Sequence, residues 1–492
     1  MLPSRTDHRA ARPRRSSRAL VTLALLLAAA CGGSAATRDA LDRLARTSPH
    51  ERYARSLRDA GLGDAALGRE WSAAAQRALR SPLAIPLPYR ETGYFAPDEA
   101  ASVGLRMTPR RGQRLTVRVE TEEGAPPAAL FVDLFEQSLD SADVARGEPP
   151  RLVASAEAGR GDPEAPGAPA AARTLRSVVV DVDRQRVAYV LRLQPELLRG
   201  VRYTVTVEAG PSLAFPLPGR DSRAVLSFYG ADRDAGRRHH EGVDLFARRG
   251  TPIVAATGGV VAGVGVTQLG GKVVWLRDVR RGQSLYYAHL DSQLVSNGAI
   301  VRAGDTLGLV GNTGNARTTS PHLHFGVYRR GEGAVDPFPY IDTRTAALPR
   351  VTADTTALGA WRRVAARRGA PLIGAPLPLA PVGAAPAPPL PAQTALRVDG
   401  AAGPLYRVRL PDGSAGFVAA RLTEPAEHGA RLAAARLGAG GAGGALREKP
   451  LATASVVDSV APHGRLEVLG RFGTFILVRP EGKKAGWLAR GR

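Results

Sequence analysis

The stretches His240-Glu241-Gly242-Val243-Asp244 and Pro321-His322-Leu323-His324-Phe325 decide how the chain is organised. In extended backbone, side chains at i and i+2 share a face, so His322 and His324 point one way while Leu323 and Phe325 point the other. One face then carries chemistry and the other enters a core. His240 and Asp244 are four residues apart, a separation that puts them on one face of a strand and equally on one face of a helix. Five of the nine histidines lie between 239 and 324: His239, His240, His289, His322 and His324. Zinc accepts imidazole nitrogen and carboxylate oxygen, and a catalytic zinc site takes three protein ligands and keeps one position open. His240, Asp244 and His324 make such a set, which leaves His289 and His322 for other work. A lone His-x-x-x-Asp or a lone His-x-His is weak evidence for a metal. Both together, with Tyr287-Ala288-His289-Leu290 between them, make a strong case. His239 fits no ligand spacing and is a bystander.

Taken in order, the runs Arg238-His239-His240-Glu241-Gly242-Val243-Asp244-Leu245-Phe246-Ala247, Gly250-Thr251-Pro252-Ile253-Val254-Ala255-Ala256, Tyr287-Ala288-His289-Leu290, Gly311-Asn312-Thr313-Gly314 and His322-Leu323-His324-Phe325 resemble the lysostaphin-type (LytM-like) zinc endopeptidases that cut peptidoglycan. The resemblance extends from about residue 215 to 341 and departs from the family pattern at Ser320 and Gly326, neither of them a ligand position. It implies that His240, Asp244 and His324 ligate Zn2+ and that His289 and His322 are catalytic histidines outside the ligand set. Zinc polarises the scissile carbonyl and brings the pKa of its bound water toward ~7. The chain has no His-Glu-x-x-His motif, so the glutamate base of that metalloprotease class is missing. Histidine titrates near ~6.5 and can replace it, with either His289 or His322 taking the water proton and the other hydrogen-bonding the oxyanion. If that segment is a strand, Tyr287 shares a face with His289 and is a candidate substrate contact, the other reading being a core tyrosine.

At the N-terminus Arg5, Arg9, Arg12, Arg14, Arg15 and Arg18 precede an apolar run from Ala19 to Ala30, the charged and apolar regions of a secretory signal. The run is too short to span a bilayer, which takes ~20 residues. It ends at Leu27-Ala28-Ala29-Ala30-Cys31-Gly32, and Cys31 is the only cysteine, so no internal disulfide can form. This resembles a bacterial lipoprotein signal, which implies lipidation at Cys31 and attachment to a membrane through that anchor. With Gly32 rather than Asp next, the resemblance implies a cell-envelope lipoprotein on the periplasmic side of the outer membrane or on the cell surface. The formal net charge is +22, and +17 once the six Arg and one Asp of residues 1–30 are removed. A basic surface favours anionic partners. Only four of the 67 basic residues are Lys, however, which points to coding bias. With no helix-turn-helix, zinc-finger or basic-aromatic pattern, nucleic acid is set aside as a partner.

Length alone predicts about three domains. The expected fold class is mainly β and multidomain. Residues 1–30 are the signal peptide and 31–82 a helical segment, with Leu41, Leu44, Leu57 and Leu62 at mixed helical spacing. Residues 83–210 alternate in short runs such as Arg114 to Glu120 and Val187 to Leu193, the pattern of an antiparallel β-sandwich. The zinc peptidase domain, 211–341, reads as an antiparallel sheet with Gly-rich turns such as Gly270-Gly271. A linker at 342–368 follows. A shift of 70 residues aligns Leu396 with Leu466, Val398 with Val468, Gly400 with Gly470 and Phe417 with Trp487, so one β module occurs twice. Each copy resembles a bacterial SH3-like domain, which implies two small barrels, 369–424 and 446–492, that bind cell wall or peptide, joined by a linker at 425–445. The function expected is zinc-dependent hydrolysis of peptide bonds in peptidoglycan. The alternative is a non-catalytic lysostaphin-like activator of another cell-wall hydrolase, a class expected to lack the ligands that this chain has.

Overall fold

The computed structural model describes residues 47–122, 128–159, 174–233, 235–365, 369–372, 389–426, 431–433, 437 and 444–490. The expected signal peptide and Cys31 lie outside them. Two helices come first, Pro49–Asp59 and Ala66–Arg80. Ser48 and Glu51 satisfy each other's backbone N–H groups at the start of the first helix, and Pro49 fills a position that needs no donor. Leu62 stays exposed, and the packing face is Trp71, Ala74, Ala75 and Ala78, set against the strands Val103–Met107 and Val187–Pro195. His50 stacks on Trp71 at 4.5 Å and its Nε2 bonds Gln194 Oε1 at 2.7 Å. Burial, and then the charge of Arg192, lowers its pKa to about 4.

Two sheets enclose the next core. One runs Leu83–Ala84, Val103–Met107, Val187–Pro195, Leu130–Ser138, Arg151–Ala158; the other contains Tyr89–Phe95, Val201–Pro211, Gln113–Glu122 and Thr174–Asp181. Alternate residues such as Leu115, Val117, Val119, Leu191, Val205 and Val207 fill the space between them. The second sheet continues beyond the sandwich, because Tyr89–Phe95 also pairs with Ala395–Ala402, Thr92 opposite Ala401 and Gly93 opposite Gly400. A buried ion pair crosses this seam. Arg407 donates through Nε to Glu91 Oε2 at 3.0 Å and through Nη2 to Oε1 at 3.1 Å, while the hydroxyls of Tyr89 and Tyr203 also donate to that carboxylate.

The first C-terminal module holds Ala395–Ala402, Leu405–Arg409, Ala415–Ala419 and Thr423–Pro425. Trp361–Val364, inside the span 342–368 expected as linker, adds a strand to it by pairing with Ala395–Ala402 and Thr423–Pro425. Likewise Arg431–Ala433, inside the span 425–445, pairs with Arg465–Phe472 of the last module. Both strands are too short and too rich in Arg for alternation to mark them. The 70-residue shift reappears in the register: Val398 lies opposite Val408 and Val468 opposite Val478, and a bulge follows each. Phe417 and Trp487 are both buried core residues.

In chain order between sandwich and modules comes a ten-stranded antiparallel sheet whose main path runs Val225–Ser227, Val243–Phe246, His322–Arg329, Gln283–Gln293, Gly271–Asp278, Gly259–Thr267, Ile300–Val301. One of its faces packs Val243, Leu245, Leu323, Phe325, Val327 and Leu285 into a core. Arg281 ties the sheet to the sandwich, 2.9 Å from Asp181 and 2.8 Å from Asp278.

Removing one partner of a buried ion pair leaves the other charge uncompensated, so Arg407→Ala should cost roughly 3–5 kcal/mol in denaturant unfolding. The double variant with Glu91→Ala should recover part of that loss. His50 predicts a pH effect. The unfolded imidazole takes up a proton near ~6.5 and the folded one only near about 4. Its contribution is therefore complete above that window and lost as pH falls through it, on the order of 1–3 kcal/mol. Thermal melts of His50→Asn should fall less steeply over that window than those of the wild type.

Candidate metal centre

Strand register assembles the site. Ser227 lies opposite Asp244, Asp244 opposite His324, and His324 opposite Ala288, a row across four strands. Leu323 and Phe325 are fully buried in the core, and His322 and His324 occupy the other face, as the alternation predicts. His240 precedes its strand and is anchored by its own N–H to Ala231 O and by its carbonyl to Gly230 N–H, each at 2.8 Å. Gly242 makes the approach possible, since a Cβ there would lie 2.7 Å from the His324 ring.

Three atoms meet. His240 Nε2 is 3.0 Å from both Asp244 Oδ1 and His324 Nδ1, and His324 Nδ1 is 3.1 Å from Asp244 Oδ1. His240 Nδ1 lies 2.9 Å from Phe228 O; a carbonyl only accepts, so the proton sits on Nδ1 and Nε2 turns a lone pair to the triangle. Zinc bonds of ~2.0–2.1 Å in a tetrahedron hold donor atoms roughly 3.3 Å apart, so the triangle need open by only about 0.3 Å to take the ion. Two imidazoles and one carboxylate are the donors zinc prefers. The cluster presents the donor set that zinc takes. Burial works against ionisation of Asp244, but its contacts with the His240 and His324 rings outweigh it and hold the carboxyl well below its usual range. Burial also lowers the pKa of His324 against the pull of Asp244, which favours the neutral ring that a metal requires.

His322 and His289 flank the triangle, their rings 5.0 Å apart, with His322 Nε2 4.0 Å from Asp244 Oδ1 and the His289 ring 5.9 Å from that of His324. Both are fixed in one manner. His322 Nδ1 donates to Ser320 O at 2.8 Å and His289 Nδ1 to Thr313 O at 2.9 Å, which leaves each Nε2 an acceptor. The Gly311-Asn312-Thr313-Gly314 stretch is thus the clamp on His289, and Thr313 Oγ1 also donates to Leu290 O at 2.8 Å. Burial lowers the His289 pKa to about 4, against the bond to Thr313.

Tyr287 departs from expectation. It is fully buried, its hydroxyl accepting the Ala256 N–H at 2.9 Å, so it is a core residue and not a substrate contact. The cause is local. His289 has φ +64°, in the left-handed region that few non-glycine residues enter, so the strand does not keep residues 287 and 289 on one face. The aromatic beside the zinc ligands is the half-buried Tyr286, 5.8 Å from the His324 ring and 4.4 Å from Trp275. Arg233 is a further residue that no sequence pattern marked. Its Nη2 donates to Asp244 Oδ2 at 2.9 Å and to Ser227 Oγ at 2.6 Å. In so Arg-rich a chain nothing distinguishes it. His239 stays exposed outside the cluster, its Nδ1 3.2 Å from Asp232.

An antiparallel sheet thus carries a His-Asp-His triangle beside two carbonyl-pinned histidines. The model of peptidase family M23 matches residues 238–337. The chain is 37% identical over 139 residues to the L-Ala–D-Glu endopeptidase of Bacillus subtilis (strain 168), covering 26% of this chain and 42% of that protein. It is 42% identical over 86 residues to the peptidoglycan DD-endopeptidase ShyC of Vibrio cholerae, covering 18% of this chain and 19% of that protein. The chain thus spans less than half the length of these relatives. Among solved structures, the catalytic domain of lysostaphin from Staphylococcus simulans aligns at 32% identity with a TM-score of 0.22, covering 23% of this chain and 88% of that one.

Metal analysis separates the roles. Wild type, His289→Ala and His322→Ala should each hold about one zinc per chain, and His240→Ala or Asp244→Ala close to none, because a zinc site of this kind needs all three protein ligands.

Proposed function

We propose that the chain is a zinc-dependent endopeptidase that hydrolyses peptide bonds of bacterial peptidoglycan. The observation that carries it is the convergence of His240, Asp244 and His324 within 3.1 Å of one another, next to two histidines whose Nε2 atoms are left as acceptors. The matched relatives, named as an L-Ala–D-Glu endopeptidase and a peptidoglycan DD-endopeptidase, give the substrate class. Bound zinc supplies a polarised carbonyl and a water activated at neutral pH. His322, the nearer of the two to Asp244 Oδ1, takes the proton of the attacking water, and its Nδ1–H bond to Ser320 O steadies the ring once charged. His289, kept neutral by burial, orients that water as a hydrogen-bond acceptor. Tyr286, half-buried with its ring 5.8 Å from that of His324, is the aromatic placed to contact an extended peptide, and Trp275 packs against it at 4.4 Å. The N-terminal signal places the enzyme in the cell envelope with a lipid on Cys31, and the C-terminal SH3-like modules hold it against the wall. A non-catalytic activator would have no use for a complete ligand set.

The test is digestion of purified wall sacculi by residues 32–492, with new peptide ends read by mass spectrometry. His322→Ala should lower the rate by about 10²–10⁴-fold, the usual contribution of a positioned proton acceptor. Asp244→Ala should abolish cleavage. Rates unchanged in both variants would reject the assignment.

A further inference from the structure

We propose that Arg233 is a positioning residue that restricts Asp244 to one metal-binding oxygen and so keeps a coordination position open. The proposal rests on the zinc site described above. A carboxylate can offer a metal one oxygen or both. Here Oδ1 faces His240 Nε2 at 3.0 Å and His324 Nδ1 at 3.1 Å, whereas Oδ2 accepts Arg233 Nη2 at 2.9 Å. The bond joins two full charges, and such bonds are roughly twice as strong as neutral ones, so turning Oδ2 toward the ion would sacrifice a strong contact. Arg233 is itself restrained. It lies in a two-stranded hairpin, opposite Arg238, and the same Nη2 donates to Ser227 Oγ at 2.6 Å. Ser227 Oγ is in turn 3.3 Å from His240 Nδ1. One guanidinium nitrogen therefore reaches two of the three ligands, Asp244 directly and His240 through a hydroxyl. With Oδ1 alone, three donors leave a fourth position for water. With both oxygens bound beside that water the ion is already five-coordinate, and no position remains for a substrate carbonyl.

Cobalt in place of zinc makes coordination number visible, because four-coordinate cobalt absorbs visible light far more strongly than five- or six-coordinate cobalt. Residues 32–492 loaded with Co2+ should show the intense four-coordinate spectrum. Arg233→Ala should weaken it, and Arg233→Lys, which restores a charged donor, should return it toward wild type. In chelator competition Arg233→Ala should bind zinc about 10–100-fold less tightly, the usual effect of losing a partner of a metal ligand. A folding defect alone would lower occupancy without changing the shape of the cobalt spectrum. An Arg233→Ala protein whose cobalt spectrum and zinc affinity match wild type overturns the proposal. Wild-type protein that binds neither ion overturns the zinc site, and this inference with it.

Discussion

The pairing of Asp244 with His324 across two antiparallel strands is the constraint on which the rest of the site depends. A strand has a period of two, so a slip of one residue would bring Leu323 and Phe325 to the metal face and send both histidines into the core. The register is held by what lies on the other side: Val243, Leu245, Leu323, Phe325 and Val327 fill a core that admits no imidazole. Hydrophobic packing on one face thus fixes the chemistry on the other.

Fixing the strand does not by itself fix the rings. Three backbone carbonyls do that. Phe228 O, Thr313 O and Ser320 O each accept from the Nδ1 of His240, His289 and His322 in turn, which sets every tautomer with Nε2 as the acceptor. All three carbonyls belong to connecting segments, whose backbone bends freely enough to meet a ring. His289 goes further and bends its own backbone to φ +64°, a strained conformation of the kind that functional sites accumulate when the surrounding structure can enforce it.

His322 and His324 were legible by alternation, whereas His240 and Asp244 were legible only as a nearby donor pair, because His240 precedes the strand Val243–Phe246 and meets Asp244 across a bend at Gly242 and not along one strand or helix face. The mainly β fold was also legible by alternation. Tyr287 was misplaced because alternation was carried through a residue with positive φ, and no sequence rule announces that angle at a histidine. Arg233 was invisible because its meaning is purely spatial. The joint between sandwich and first C-terminal module was hidden similarly, since Glu91 and Arg407 are far apart in the chain and meet only through the pairing of Thr92 with Ala401. Short strands at Trp361–Val364 and Arg431–Ala433 carry too few alternating residues to be told from linker.

X-ray absorption at the zinc edge, on the purified protein, examines the convergence directly, since scattering from imidazole rings counts the histidines bound to the ion. Two imidazoles and at least one oxygen are expected in the wild type, with one imidazole lost in His324→Ala. A spectrum with no imidazole scattering, or one that His324→Ala leaves unchanged, would contradict the site built from His240, Asp244 and His324.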